Sequence, residues 1–296
     1  MADYSIWIVE YARVVEYPVG AVLYGRWNAG HLVLPYCYAV VKGEGHLAVV
    51  DTGFNYAEFG KVLADTYGVS DWRGADVVLG RIGIDPAEVD TMVLTHNHFD
   101  HAGGVEFFPN AHVYIQEREV SNYLWAHGLP ARLQWLTTAV DPDLMLWLVG
   151  RMKQNKLTLL KDETEILPGV RAIPALDTHT AGSQYVTVEN GRDGNWLLAG
   201  DNCYVYESFT GANDDGVFVP IGLAFGSMER CMLTMEEMWQ YVDGDVTRIV
   251  PFHEQRLWET FPSFQFDDTL HMAELSLAAG EPSRVEAAKA EARGTR

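Results

Sequence analysis

Apolar and polar positions along the chain follow two periods. Short apolar or β-branched runs at Ser5–Val9, Val22–Tyr24, Ala39–Val41, Leu47–Val50, Met92–Leu94, His112–Ile115, Val186–Val188, Trp196–Leu198 and Ile249–Val250 read as strands punctuated by turn residues. Two of them, either side of Asn190-Gly191-Arg192-Asp193-Gly194, read as an antiparallel hairpin. Helical spacing takes over at Tyr56–Tyr67 and Thr234–Val242, and Pro86 directly after Asp85 marks a capped helix start. From about 120 to 152 the chain is dense in Trp, Leu and Met at helical spacing, predicting two helices flanking Asp141-Pro142-Asp143. Strands in both halves with helices between them predict an α/β protein, an αββα sandwich of two mixed β-sheets flanked by helices. One domain over residues 1–280 carries the aromatic-rich helical insertion at about 120–152. The Ala- and charge-rich segment 281–296 reads as a flexible tail or a frayed helix.

Composition narrows the function. The 296 residues carry 21 Lys+Arg against 41 Asp+Glu, a net charge of −20, which repels nucleic acid and anionic membranes alike. Cys37, Cys203 and Cys231 are too few and too scattered for a disulfide framework or a thiolate metal site. With no basic segment before an apolar run at the N-terminus, the expectation is a cytoplasmic protein without a membrane span.

The chemistry concentrates in LTHNHFDHAGG, Leu94–Gly104. An apolar strand ends abruptly in His96, His98, Asp100 and His101, and two glycines follow. Imidazoles with a carboxylate and no thiolate suit Zn²⁺ or a similar divalent ion. One ion cannot use all four groups, so further ligands are sought at His179, Asp201 and His253, each just after a strand or turn.

On VVDTG (Val49–Gly53), the HxHxDH block, His179, Asp201 and His253 in that order, the chain resembles the metallo-β-lactamase superfamily over about residues 35 to 260. The resemblance implies a site for two divalent ions, zinc foremost, with Mn, Fe or Co also accepted by such ligands. It assigns His96, His98 and His179 to one ion, and Asp100, His101 and His253 to the other. Asp201 then bridges them, a hydroxide lies between the ions, and Asp51 orients a ligand histidine. A histidine at 98 departs from the flavodiiron branch, and an aspartate at 201 from the β-lactamases. The basic glutathione-binding residues of the glyoxalase II-like thioesterases are not evident. Tyr204, three residues after Asp201, is similar to the tyrosine of the N-acyl homoserine lactonases, whose phenol meets the substrate carbonyl. THTAGS around His179 and FHE around His253 differ from that family's GHTPGH and GHD without removing a ligand.

The function so implied is quorum-quenching lactone hydrolysis. A metal-bridging hydroxide attacks the carbonyl, Tyr204 steadies the oxyanion, and Asp100 passes a proton to the leaving alkoxide. The alternatives are hydrolysis of another cyclic amide, ester or thioester on the same site, or a non-catalytic metal-binding module. Trp125, Trp135 and Trp147 are expected in the pocket wall, and the region Tyr24–Tyr38 supplies another side, with Trp27 and His31 as its candidates. His46, His112, His127 and His271 read as structural or surface residues. Cys203 reads as a small buried hydrophobe, and the 120–152 segment makes a homodimer plausible.

Overall fold

The computed structural model describes residues 2–191 and 193–294. Its strands are β1 (Tyr4–Pro18), β2 (His31–Gly43), β3 (His46–Val50), β4 (Val69–Ser70), β5 (Thr91–Val93), β6 (His112–Gln116) and β7 (Leu157–Leu160). There follow β8 (Thr164–Leu167), β9 (Val170–Pro174), β10 (Gln184–Asn190), β11 (Gly194–Gly200), β12 (Ile249–Pro251), β13 (Ser263–Phe266) and β14 (Leu270–Ser276). One sheet runs β13-β14-β1-β2-β3-β5-β6-β7, with β4 against β1, and the other runs β12-β11-β10-β9-β8. Both are mixed: β3, β5, β6 and β7 are parallel, as are β11 and β12, while β1–β2 and β10–β11 are antiparallel.

The two-residue period of the strands sorts side chains into layers. Along β1, Ile6 and Ile8 join the core between the sheets, with Val41, Val50, Val186 and Leu198. Trp7 and Val9 face the other way and pack with Leu63, Val78 and Leu148 from the helices outside the first sheet. Leu197 and Ile249 likewise meet Met235 and Met238 of the helix Met228–Tyr241 outside the second sheet. Strands buried on both faces read as continuous apolar runs rather than clean alternation. Four layers, helix–sheet–sheet–helix, result.

Two local expectations are revised. Val22–Tyr24 is not a strand: the helix Val19–Val22 ends there, and Tyr24 N–H donates to the Pro220 carbonyl. Asp141-Pro142-Asp143 is not a turn between helices but a helix start, because Asp141 caps Pro142–Lys153 by accepting from Asp143 N–H. A helix Glu117–His127 and a 3₁₀ turn Ala131–Thr137 precede it. The C-terminal segment forms the helix Arg284–Gly294. Val285 is buried in the main core, and the Glu274 carboxylate accepts from the N–H groups of Arg284 and Val285. Asp85 does cap the turn Pro86–Glu88.

Candidate metal centre and active site

The site lies where several strands end together. Asp51 follows β3, Thr95 to His101 follow β5, His179 lies in the turn between β9 and β10, and Asp201 and His253 follow β11 and β12. His98 precedes the short helix Phe99–Ala102, so Asp100 and His101 are brought round within one turn. Two groups form: His96, His98, His179 and Asp201, and Asp100, His101 and His253, the ligand atoms of each lying within 4.8 Å of one another. All seven residues expected as ligands are therefore together. Asp201 stands between the groups. Its Oδ1 is 3.0 Å from His101 Nε2 and 3.1 Å from His253 Nε2, while its Oδ2 is 3.3 Å from His179 Nε2 and 3.8 Å from His96 Nε2.

The outer ring nitrogens decide what the inner ones offer. His179 Nδ1 donates to the Leu223 carbonyl at 2.6 Å and His253 Nδ1 to the Pro35 carbonyl at 2.8 Å. His101 Nδ1 donates to Asp51 Oδ2 at 2.7 Å. Thr95 donates its hydroxyl to the same carboxylate and accepts from His96 Nδ1 at 3.0 Å. A neutral imidazole has one N–H, so each of these four rings, when neutral, turns a bare lone pair inward from Nε2. His98 is reversed: its Nε2 meets the Tyr123 hydroxyl at 3.2 Å, and Nδ1 faces His179 Nε2 at 2.9 Å.

Lone pairs thus face carboxylate oxygens at hydrogen-bond distance with no proton between them, and His96 Nε2 and Asp201 Oδ1 are buried without a partner. Divalent cations satisfy such an arrangement. Burial, with the neighbouring imidazoles, pushes His96 and His98 well below 6.5, keeping them neutral as ligands must be. Burial also pushes His101 down, but Asp201, Asp100 and Asp51 outweigh it and draw positive charge to that ring. The residues fit two divalent ions, and the chain carries a dinuclear His/Asp site.

Sequence reasoning missed Glu119. It is fully buried at the start of Glu117–His127 and accepts from Asn97 N–H at 2.9 Å, Thr180 Oγ1 at 2.8 Å and Gly182 N–H at 2.9 Å. One carboxylate therefore ties the His96–His98 loop to the His179 turn. Gly182 is required at that contact, since a Cβ there would lie 2.1 Å from Glu119 N. Burial pushes the Glu119 carboxyl up from 4.5 to about 7, against the three hydrogen bonds that lower it. A raised acid binds more protons folded than unfolded between those values, so its contribution to stability falls as pH rises through that window. Relative to Glu119→Gln, the wild type is expected to lose about 3 kcal/mol between pH 4.5 and 7.5. Urea titrations of both proteins at the two pH values measure this, and parallel curves would refute it.

The site opens on a cavity of about 360 Å³. Of the tryptophans expected in its wall, Trp135 lines it. Trp125 and Trp27 stand out in solvent at 59% and 62% exposure, and Trp147 packs on the core under Arg151. His31 is exposed and also outside. The expected 24–38 segment contributes Leu34 and Tyr36 rather than Trp27 and His31, and the rest of the wall is Phe99, Leu223 and Phe225 with the phenols of Tyr17 and Tyr67, which the sequence pattern does not mark. Tyr204 lines it too, buried, stacked on His253 (5.2 Å, 20°) and 5.8 Å from His179. Cys203, its neighbour, is buried in the outer core of the second sheet.

Known proteins resemble the chain in both sequence and fold. It is 27% identical over 211 residues to an N-acyl homoserine lactonase of Bacillus cereus, covering 65% of this chain and 76% of that protein. It is 29% identical to the N-acyl homoserine lactonase AiiB of Agrobacterium fabrum, covering 67% of each. The crystal structure of a quorum-quenching N-acyl homoserine lactone lactonase superposes with a TM-score of 0.65 at 19% identity, covering 91% of this chain and 99% of that one. AidC, a dizinc quorum-quenching lactonase, gives 0.62 at 15% identity over 94% and 96%. The family model of the metallo-beta-lactamase superfamily matches residues 32–253, which contain every ligand of the dinuclear centre, and the chain belongs to that superfamily as a metal-dependent hydrolase.

Proposed function

We propose that the enzyme opens lactone rings, with N-acyl homoserine lactones as its substrate class and two zinc ions as its metals. The observation that carries the reading is Tyr204, whose ring touches a histidine of each ligand group and whose side chain lines the cavity. Burial, with Asp201 close by, holds its phenol well above 10, so it stays a donor. It then donates to the carbonyl oxygen as that oxygen gains charge. Two divalent ions bound there supply Lewis acidity and a hydroxide nucleophile at neutral pH. Asp100, whose carboxylate borders the cavity, receives a proton and returns it to the leaving alkoxide.

The wall supports an uncharged substrate. Among the described residues lining the cavity none is Lys or Arg, while Leu34, Phe99, Trp135 and Phe225 give apolar surface for an acyl chain. Similarity to N-acyl homoserine lactonases points the same way. Zinc suits a set of imidazoles and carboxylates without thiolate, and metal analysis of protein purified without added metal tests that assignment. A cytoplasmic location accords with three buried, unpaired cysteines. Among the described residues no helix is long and apolar enough to cross a membrane. A homodimer would cover Leu124, Trp125 and Leu146, which stand exposed on the 117–153 helices.

Tyr204→Phe is expected to lower kcat about a hundredfold with metal content unchanged. The function itself is tested by pH-stat hydrolysis of homoserine lactones, plain lactones, a β-lactam, a thioester and an acyclic ester, with His98→Ala as control. Acid release confined to the lactones and lost in the control supports the reading. Cleavage of the thioester or β-lactam with lactones intact overturns it.

A further inference from the structure

We infer that Tyr36, seconded by Tyr17, is a specificity-determining donor site that binds an uncharged acceptor oxygen of the substrate separate from the carbonyl under attack, such as the amide carbonyl of an acyl chain. This deepens the lactonase reading and rests on it.

Tyr36 sits on β2 with 3% exposure and lines the cavity, as does the half-buried Tyr17. Neither hydroxyl has a hydrogen-bond partner among the described residues. Neighbouring phenols are tied down: Tyr11 donates to the Asp100 carbonyl at 2.6 Å, and Tyr123 meets His98. Tyr38 is unpartnered but sealed in the core, whereas Tyr36 opens on the cavity. A hydroxyl that faces the cavity with no protein partner is free to donate to a ligand oxygen.

Geometry separates this donor from Tyr204. Both phenols flank His253, but Tyr204 stacks on the imidazole face (20°), while Tyr36 meets it edge-on at 5.1 Å and 75°. They approach one metal-side ring from different directions, so two acceptors are read at once. As tyrosine hydroxyls, those of Tyr36 and Tyr17 are donors as well as acceptors at neutral pH. With Asp100 near and no Lys or Arg in the described lining, the acceptor they favour is neutral rather than a carboxylate or phosphate.

The test compares wild type, Tyr36→Phe and Tyr17→Phe on N-hexanoyl homoserine lactone and on δ-decanolactone, which has no second acceptor. Tyr36→Phe is expected to lose about tenfold in kcat/KM on the first and less than about twofold on the second, with Tyr17→Phe showing a smaller loss of the same pattern. Metal content and thermal midpoint should be unchanged. A second arm measures calorimetric binding of N-cyclopentylhexanamide, which has the acyl amide and no lactone; Tyr36→Phe should weaken it by a similar factor. Equal losses on both lactones, or amide binding unchanged in the variant, overturn the inference. If the wild type opens neither lactone, the lactonase reading falls, and the amide arm alone decides the role of Tyr36.

Discussion

Asp201→Ala is expected to lower kcat/KM by at least about a thousandfold, on the order of 4 kcal/mol of transition-state stabilisation, and to leave fewer than two metal ions per chain. The reason is the division of labour between its oxygens: Oδ1 serves His101 and His253, Oδ2 serves His179 and His96. Burial pushes the carboxyl up, yet His101, His253 and His179 hold it well below its ordinary range, so it is ionised throughout the working pH range. Removing it subtracts a negative charge from both ion sites at once and leaves the inward lone pairs of four histidines facing one another. Asp201→Asn keeps the volume and one acceptor oxygen, and should retain one ion where Ala retains less. Metal analysis with steady-state kinetics on the same preparations checks both variants. Two tightly held ions and more than a tenth of wild-type activity in Asp201→Ala would defeat the bridging role.

The metal centre was legible in the sequence because its chemistry is local. His96, His98, Asp100 and His101 crowd the end of one strand, a composition that a solvated loop has no reason to hold. His179, Asp201 and His253 were legible by order and by position after strands. The pocket was legible only as segments, 24–38 and 120–152, since a helical pattern does not say which of two neighbouring aromatics faces inward. In Glu117–His127, Tyr123 is buried against the site while Trp125, two positions on, faces solvent. Glu119 carries no local signal: its partners Thr180 and Gly182 lie 61 and 63 residues away in sequence and meet it only through the packing of helix on turn. Tyr36 was marked only through its segment and Tyr17 not at all, for both occur in strands whose aromatic content alone justifies them, and only the cavity distinguishes the phenol at 36 from the one at 38.

Stripping the metal ions with a chelator is expected to abolish hydrolysis and to lower the thermal midpoint by roughly 10 °C. A site that binds its ions about a thousandfold tighter than their free concentration adds about 4 kcal/mol to folding stability, and a domain of this size turns each kcal/mol into about 2–4 °C. The sign follows from the electrostatics. Asp51, His101 and Asp201 are nine-tenths or more buried in a line, with His101 Nδ1 held by Asp51 and Nε2 by Asp201. With ions bound, that histidine is neutral and both carboxylates are balanced by divalent charge. Without them, His101 must take a proton to hold two carboxylates, while His96 and His98, pushed down by burial, stay neutral and face unpaired acceptors. Unpaired buried acceptors destabilise the fold, and the loops that carry them loosen first. Differential scanning calorimetry of the stripped protein, then of the same sample given Zn²⁺, Mn²⁺, Fe²⁺ or Co²⁺, measures both the loss and which ion restores it. A midpoint that moves by less than about 2 °C, with hydrolysis intact after stripping, would mean that these seven side chains hold one another without metal.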